Sequence, residues 1–110
     1  MEAVLNIGLN NNPKSPEGIL EVIEALFSFT ELAESRVEMG EFNGNPENTL
    51  VVELDSRLDA EWMRVNIEIL CEVLTQESIA VKFNGKGELI FNPAYKGERY
   101  EFNEDYFLNI

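Results

Sequence analysis

The sequence predicts an α+β domain: a two-layer sandwich in which two helices cover one face of an antiparallel sheet, in the order β-α-β-β-α-β-β, followed by an aromatic C-terminal tail. Three observations carry this. Two stretches place apolar residues at helical spacing behind start signals. Five short stretches alternate apolar and polar residues, the period of a half-buried strand. The 110 residues, 45% of them hydrophobic, suffice for one domain that hides roughly two-thirds of its unfolded surface. Residues 1–110 are therefore read as a single domain, with 92–110 as an extension that packs on the domain or on a partner.

Ala3, Leu5, Ile7 and Leu9 alternate with Val4, Asn6 and Gly8, a strand with one strongly apolar face. Asn10, Asn11, Asn12 and Pro13 end it, because asparagine tolerates left-handed backbone and proline stops pairing. Ser15 before Pro16 starts a helix, a hydroxyl cap followed by proline at the first helical position. Ile19, Leu20, Val22, Ile23, Leu26 and Phe27 form its apolar stripe, and Glu17, Glu21 and Glu24 share the remaining face. This helix is expected over 16–28.

Val37 and Met39, alternating with Arg36, Glu38 and Gly40 and followed by Phe42, mark a second strand. Residues 43–48 (Asn-Gly-Asn-Pro-Glu-Asn) read as a loop. Leu50, Val52 and Leu54, alternating with Val51, Glu53 and Asp55, mark a third strand, so the pair forms an antiparallel hairpin. Ser56 with Asp59 three residues on has the pattern of a helix cap. The second helix is expected over 59–76, apolar around more of its circumference than the first and so more buried. Ile79, Val81 and Phe83 give the fourth strand. Asn84-Gly85 accepts the positive φ angles of a tight hairpin turn, and Leu89 and Phe91 continue into a fifth strand ending at Pro93. A short further strand is expected between residues 97 and 102.

Right-handed crossovers set the first strand between the third and the fourth. The resulting layout resembles the ferredoxin-like architecture over residues 1–92. The resemblance is one of arrangement, with no family motif, and it implies no activity.

Twenty-one Asp and Glu face eight Lys and Arg, with no histidine, for a net charge of -13. Residues 1–77 hold sixteen of the acids and four of the bases. Such a field repels nucleic acid and anionic lipid, and the chain lacks the commonest general base and metal ligand. The single cysteine, Cys71, excludes an internal disulfide and a cysteine zinc cage within one chain. No run approaches the roughly 20 apolar residues of a membrane helix, and the N-terminus has no secretory pattern. A cytoplasmic protein is expected.

The candidate sites follow from these elements. The sheet face away from the helices carries Asn6, Gly8, Arg36, Glu38, Gly40, Val51, Glu53, Asp55, Ala80, Lys82 and Asn84. It lacks the aromatic rings that stack single-stranded RNA. It reads as a polar platform for a ligand or partner, or as a solvated face with cross-strand pairs such as Glu53 with Lys82. Glu38, Glu53 and Asp55 are its clustered carboxylates. Cys71 has no histidine to activate it and reads as structural. Trp62 is expected at the edge of the core, with an interface anchor as the alternative. Tyr95, Tyr100, Phe102, Tyr106 and Phe107 crowd the tail. They cover the domain's own sheet, pair with a second copy, or meet another protein.

These features point to a small acidic protein-protein interaction module for a basic or polar surface. One form of it is a phage or mobile-element inhibitor that imitates nucleic acid. The alternative is a small-molecule-binding or regulatory homodimeric domain. No enzymatic activity, cofactor or metal is expected, nor a nucleic-acid or membrane partner. The interaction residues singled out are Glu38, Glu53, Asp55, Tyr95, Tyr100, Phe102 and Tyr106.

Overall fold

A computed structural model describes residues 1–10, 12–27, 30–42 and 44–102. The elements run β1 (Glu2–Gly8), α1 (Pro16–Leu26), β2 (Thr30–Phe42), β3 (Asn45–Ser56), α2 (Ala60–Leu74), β4 (Ser78–Phe83) and β5 (Lys86–Phe91). The strands form one antiparallel sheet in the order β2-β3-β1-β4-β5. The first strand lies between the third and the fourth, and the fold class is the one expected from the sequence.

The period-two pattern decides which face is buried. Ala3, Leu5 and Ile7 of β1 pair in register with Leu54, Val52 and Leu50 of β3. On the other side, Ala3 and Leu5 oppose Phe83 and Val81 of β4. Onto this apolar surface α1 sets Ile19 and Ile23, and α2 sets Met63, Ile67, Leu70, Cys71 and Leu74, all of them buried. Among the described residues no helix is long and apolar enough to cross a membrane.

Both helices begin on a side-chain cap. Ser15 accepts a hydrogen bond from the Gly18 amide at 3.2 Å, as its position before Pro16 predicts. The start of α2 differs from expectation. Asp59 is the cap, accepting from the Trp62 amide at 3.0 Å. Ser56 ends β3, and its hydroxyl accepts from the Leu58 amide in the turn between strand and helix. A carboxylate directly before the first apolar turn outcompetes a hydroxyl three residues earlier, because only the former reaches the free N–H groups of the helix.

The β2–β3 hairpin is longer than the alternation predicts. Phe42 pairs with Asn45, so the 43–48 loop contracts to a two-residue connection in which Gly44 has φ 79°. At the other end β2 extends back to Thr30, with a register shift between Leu32 and Glu34. The extra residue at Ala33 breaks the period-two pattern, which is why residues 30–35 lack a strand signature. The Asn84-Gly85 turn forms as expected, with φ 49° and 86° at the two positions. No strand forms between residues 97 and 102. Asn11 of the asparagine turn and Tyr106 and Phe107 of the tail lie outside the described residues.

Candidate functional site

The sheet face away from the helices divides into two halves. Over β4 and β5 it is apolar. Ala80 is buried there with Val4, Leu89, Tyr100 and Phe102 around it, and the Phe102 ring fills the space that a side chain at position 87 would occupy, so a Cβ there would displace the ring. Phe91 stacks on Tyr95 with ring centroids 5.7 Å apart and meets Tyr100 edge-on at 5.2 Å. The Arg99 guanidinium lies over the same Phe91 ring at 5.1 Å. Tyr95, Tyr100 and Phe102 thus pack against the chain's own sheet.

Over β2 and β3 the same face is polar, and Arg36 organises it. Its Nε donates to Glu38 Oε1 at 2.7 Å and its Nη1 to Glu53 Oε2 at 2.8 Å, with Glu34 at 3.6 Å. The two carboxylates raise the Arg36 pKa, and the Arg36 hydrogen bond holds the Glu53 carboxyl below the usual carboxylate range. The second Glu38 oxygen is buried and has no hydrogen-bond partner among the described residues. Beside this cluster Thr49 is buried, its hydroxyl donating to the Glu47 carbonyl at 3.1 Å. The Glu47 side chain leans over Gly8, where a Cβ would collide with it. Burial pushes the Glu47 carboxyl above its ordinary range, partly offset by a backbone hydrogen bond at Asn10.

Among the sequence-predicted residues, Glu38 and Glu53 therefore meet through Arg36. Asp55 does not join them; it lies by the N-terminal amine at 3.8 Å and is largely exposed. Tyr95, Tyr100 and Phe102 gather on the opposite half of the face, and Tyr106 lies outside the described residues. The partner of Glu53 is Arg36 rather than Lys82, because β1 runs between them: Val4 opposes Glu53 on one side and Lys82 on the other. The hub role of Arg36 was legible only as a lone base among acids on alternate positions of one strand.

The helical layer carries the features that sequence reasoning underrated. The acids Glu17, Glu21 and Glu24 project from α1 into solvent, and Glu61, Glu68 and Glu72 line one side of α2. Among the described residues none of these six forms an ion pair, whereas Arg64 of α2 is held by Glu88 of β5 through two hydrogen bonds, one of 2.9 Å from Nη2. The broad apolar circumference of α2 is not all core. Trp62 is 61% exposed, and Val65, Ile69 and Val73 are exposed with it. Trp62 is thus a surface residue instead of a core edge. Cys71 is buried, and desolvation pushes its thiol up to about 12; it is a packing residue. No cluster of His, Cys, Asp or Glu suited to a metal ion occurs among the described residues.

No protein-family model and no curated protein matches the chain. It is similar to a solved structure described as a phage SAM lyase in complex with S-methyl-5'-thioadenosine, at 18% identity and a TM-score of 0.44, over 94% of this chain and 89% of the other. That neighbour is described as a lyase, which runs against the expectation of no enzymatic activity, and that expectation is withdrawn. The expectation rested in part on the missing histidine and the unactivated thiol. Those remove two kinds of catalytic group, but carboxylates also transfer protons, so the composition does not exclude catalysis.

Proposed function

We propose that the chain is an acidic protein-interaction module of the cytoplasm whose helical layer engages a basic protein surface. In one form of that contact it occupies a nucleic-acid-binding cleft as a phage or mobile-element inhibitor. The observation that carries this reading is the sorting of the charges. Arg36 and Arg64 are neutralised within the sheet and at its edge by Glu34, Glu38, Glu53 and Glu88. The six glutamates of α1 and α2 are left facing outward without an ion pair among the described residues. Acids held in this way project a one-signed field, which speeds encounter with a basic partner and selects against acidic ones. The test is competition: the chain is titrated into complexes of basic DNA-binding proteins with duplex DNA at low salt. Displacement of the duplex, weakened as salt screens the field, supports the reading. Absence of binding to every basic protein tried removes it.

A second reading, a small-molecule-binding or regulatory homodimeric domain, draws on the buried Glu38 oxygen that lacks a partner among the described residues. Buried acceptors are normally paired, so a ligand with an N–H or O–H donor suits that position. A thermal-shift panel of nucleosides and amines, S-methyl-5'-thioadenosine included, tests it. A rise in melting temperature that Glu38→Gln abolishes supports the ligand site, and no rise across the panel counts against it.

A further inference from the structure

The solvent side of α2 presents Trp62, Val65, Ile69 and Val73, all exposed. Their spacing of three, four and four residues keeps them on one face of the helix. The stripe runs for about 17 Å along the axis, the length of three helical turns. It lies opposite the buried set of Met63, Ile67, Leu70 and Leu74, so the core does not use it. Glu61, Glu68 and Glu72 border it along one edge. Scattered exposed apolar residues are ordinary, but a continuous stripe headed by tryptophan, the residue most enriched at binding hot spots, marks a contact surface.

We infer that this stripe docks a basic amphipathic helix of a partner protein, which lays an apolar ridge on Trp62, Val65, Ile69 and Val73 and sets Lys or Arg against Glu61, Glu68 and Glu72. The inference rests on the acidic-module reading and assigns it a surface and a partner class. Charge complementarity selects this occupant over a second copy. Two α2 helices packed antiparallel about a two-fold axis bring both glutamate rows to the same side of the seam, six like charges together, and like-charge contacts oppose association. A basic helix replaces that repulsion with attraction, in the helix-in-groove mode that reads anchors three and four residues apart.

Trp62 is the only tryptophan in the chain, so its fluorescence reports on the stripe directly. The probe is a synthetic helical peptide with leucine along one face and lysine on its flanks, and the control carries glutamate in place of lysine. The expected result is a blue shift of Trp62 emission with the lysine peptide alone. Ile69→Ser and Glu72→Lys should each weaken binding by about fivefold or more. Glu21→Lys, the same charge change on α1, should weaken it far less. If the lysine peptide binds without moving the emission, or if Ile69→Ser and wild type bind equally, the α2 surface is wrong while the acidic-module reading stands. If the peptide and basic proteins alike fail to bind, both fall. If sedimentation shows a dimer that Ile69→Ser dissociates, a second copy covers the stripe and the inference is overturned.

Discussion

Glu47 and Glu53 lie on the same strand, and their surroundings push their pKa values in opposite directions. Glu53 is held low, chiefly by the Arg36 hydrogen bond. Its contribution to stability is complete above the carboxylate range of the unfolded chain and is lost as pH falls through its depressed folded value. Glu47 is held high by desolvation. It favours the folded state only when protonated, so it opposes folding above its raised value and ceases to do so as pH falls. Neutral isosteres separate the two. At neutral pH, Glu53→Gln should lower stability by about 0.5 kcal/mol, the scale of a partly exposed ion pair, and Glu47→Gln should raise the melting temperature. Both differences should vanish in acid, where the wild-type carboxyls are protonated. Melting curves of the three proteins across pH check this, and effects of the same sign would contradict it. The Arg36 cluster was half legible in the sequence: alternation placed Glu38 and Glu53 on the open face. Which base they share depends on the β2–β3 register, which single-strand patterns do not contain.

At the scale of elements, α2 is the informative case. Its helical period was plain, but a period says where apolar residues repeat and not which face the core uses. Eight apolar positions spread around the helix read as deep burial, and the structure divides them between core and solvent. Its ends also departed from the reading. Asp59 caps the start, and the end closes on Thr75 in the left-handed region at φ 54°, ψ 39°, its amide bonding back to the Cys71 and Glu72 carbonyls. A β-branched residue is disfavoured there, so Thr75→Gly should stabilise the protein by about 1 kcal/mol. Asp59→Ala should cost about 1 kcal/mol through the lost cap. Urea denaturation reads both, and a destabilised Thr75→Gly would show that the threonine side chain has a role beyond closure. β2 is the converse case. Its outer half was missed because one extra residue inverts the alternation, while the Asn84-Gly85 hairpin was found because those two residues carry its geometry locally.

For the whole molecule, the strand order, the two layers and the core followed from local patterns plus the handedness of crossovers. The function did not, because a docking surface is defined partly by a molecule that the sequence does not contain. The charge balance does have whole-molecule consequences. A net charge of -13 on a small domain makes the folded state repel itself, and salt relieves this. Denaturant midpoints should therefore rise from low to physiological ionic strength; a fall would mean that the Arg36 and Arg64 ion pairs outweigh the repulsion. The same glutamates carry the proposed binding. Replacing Glu17, Glu21, Glu24, Glu61, Glu68 and Glu72 together by glutamine keeps helix propensity nearly constant and removes only the charge of the helical layer. The most direct test is the affinity of this variant for a basic DNA-binding protein that the wild type binds, followed as a function of salt. The account predicts a loss of about tenfold or more at low salt and a flattened salt dependence. Unchanged affinity with an unchanged salt slope would contradict it.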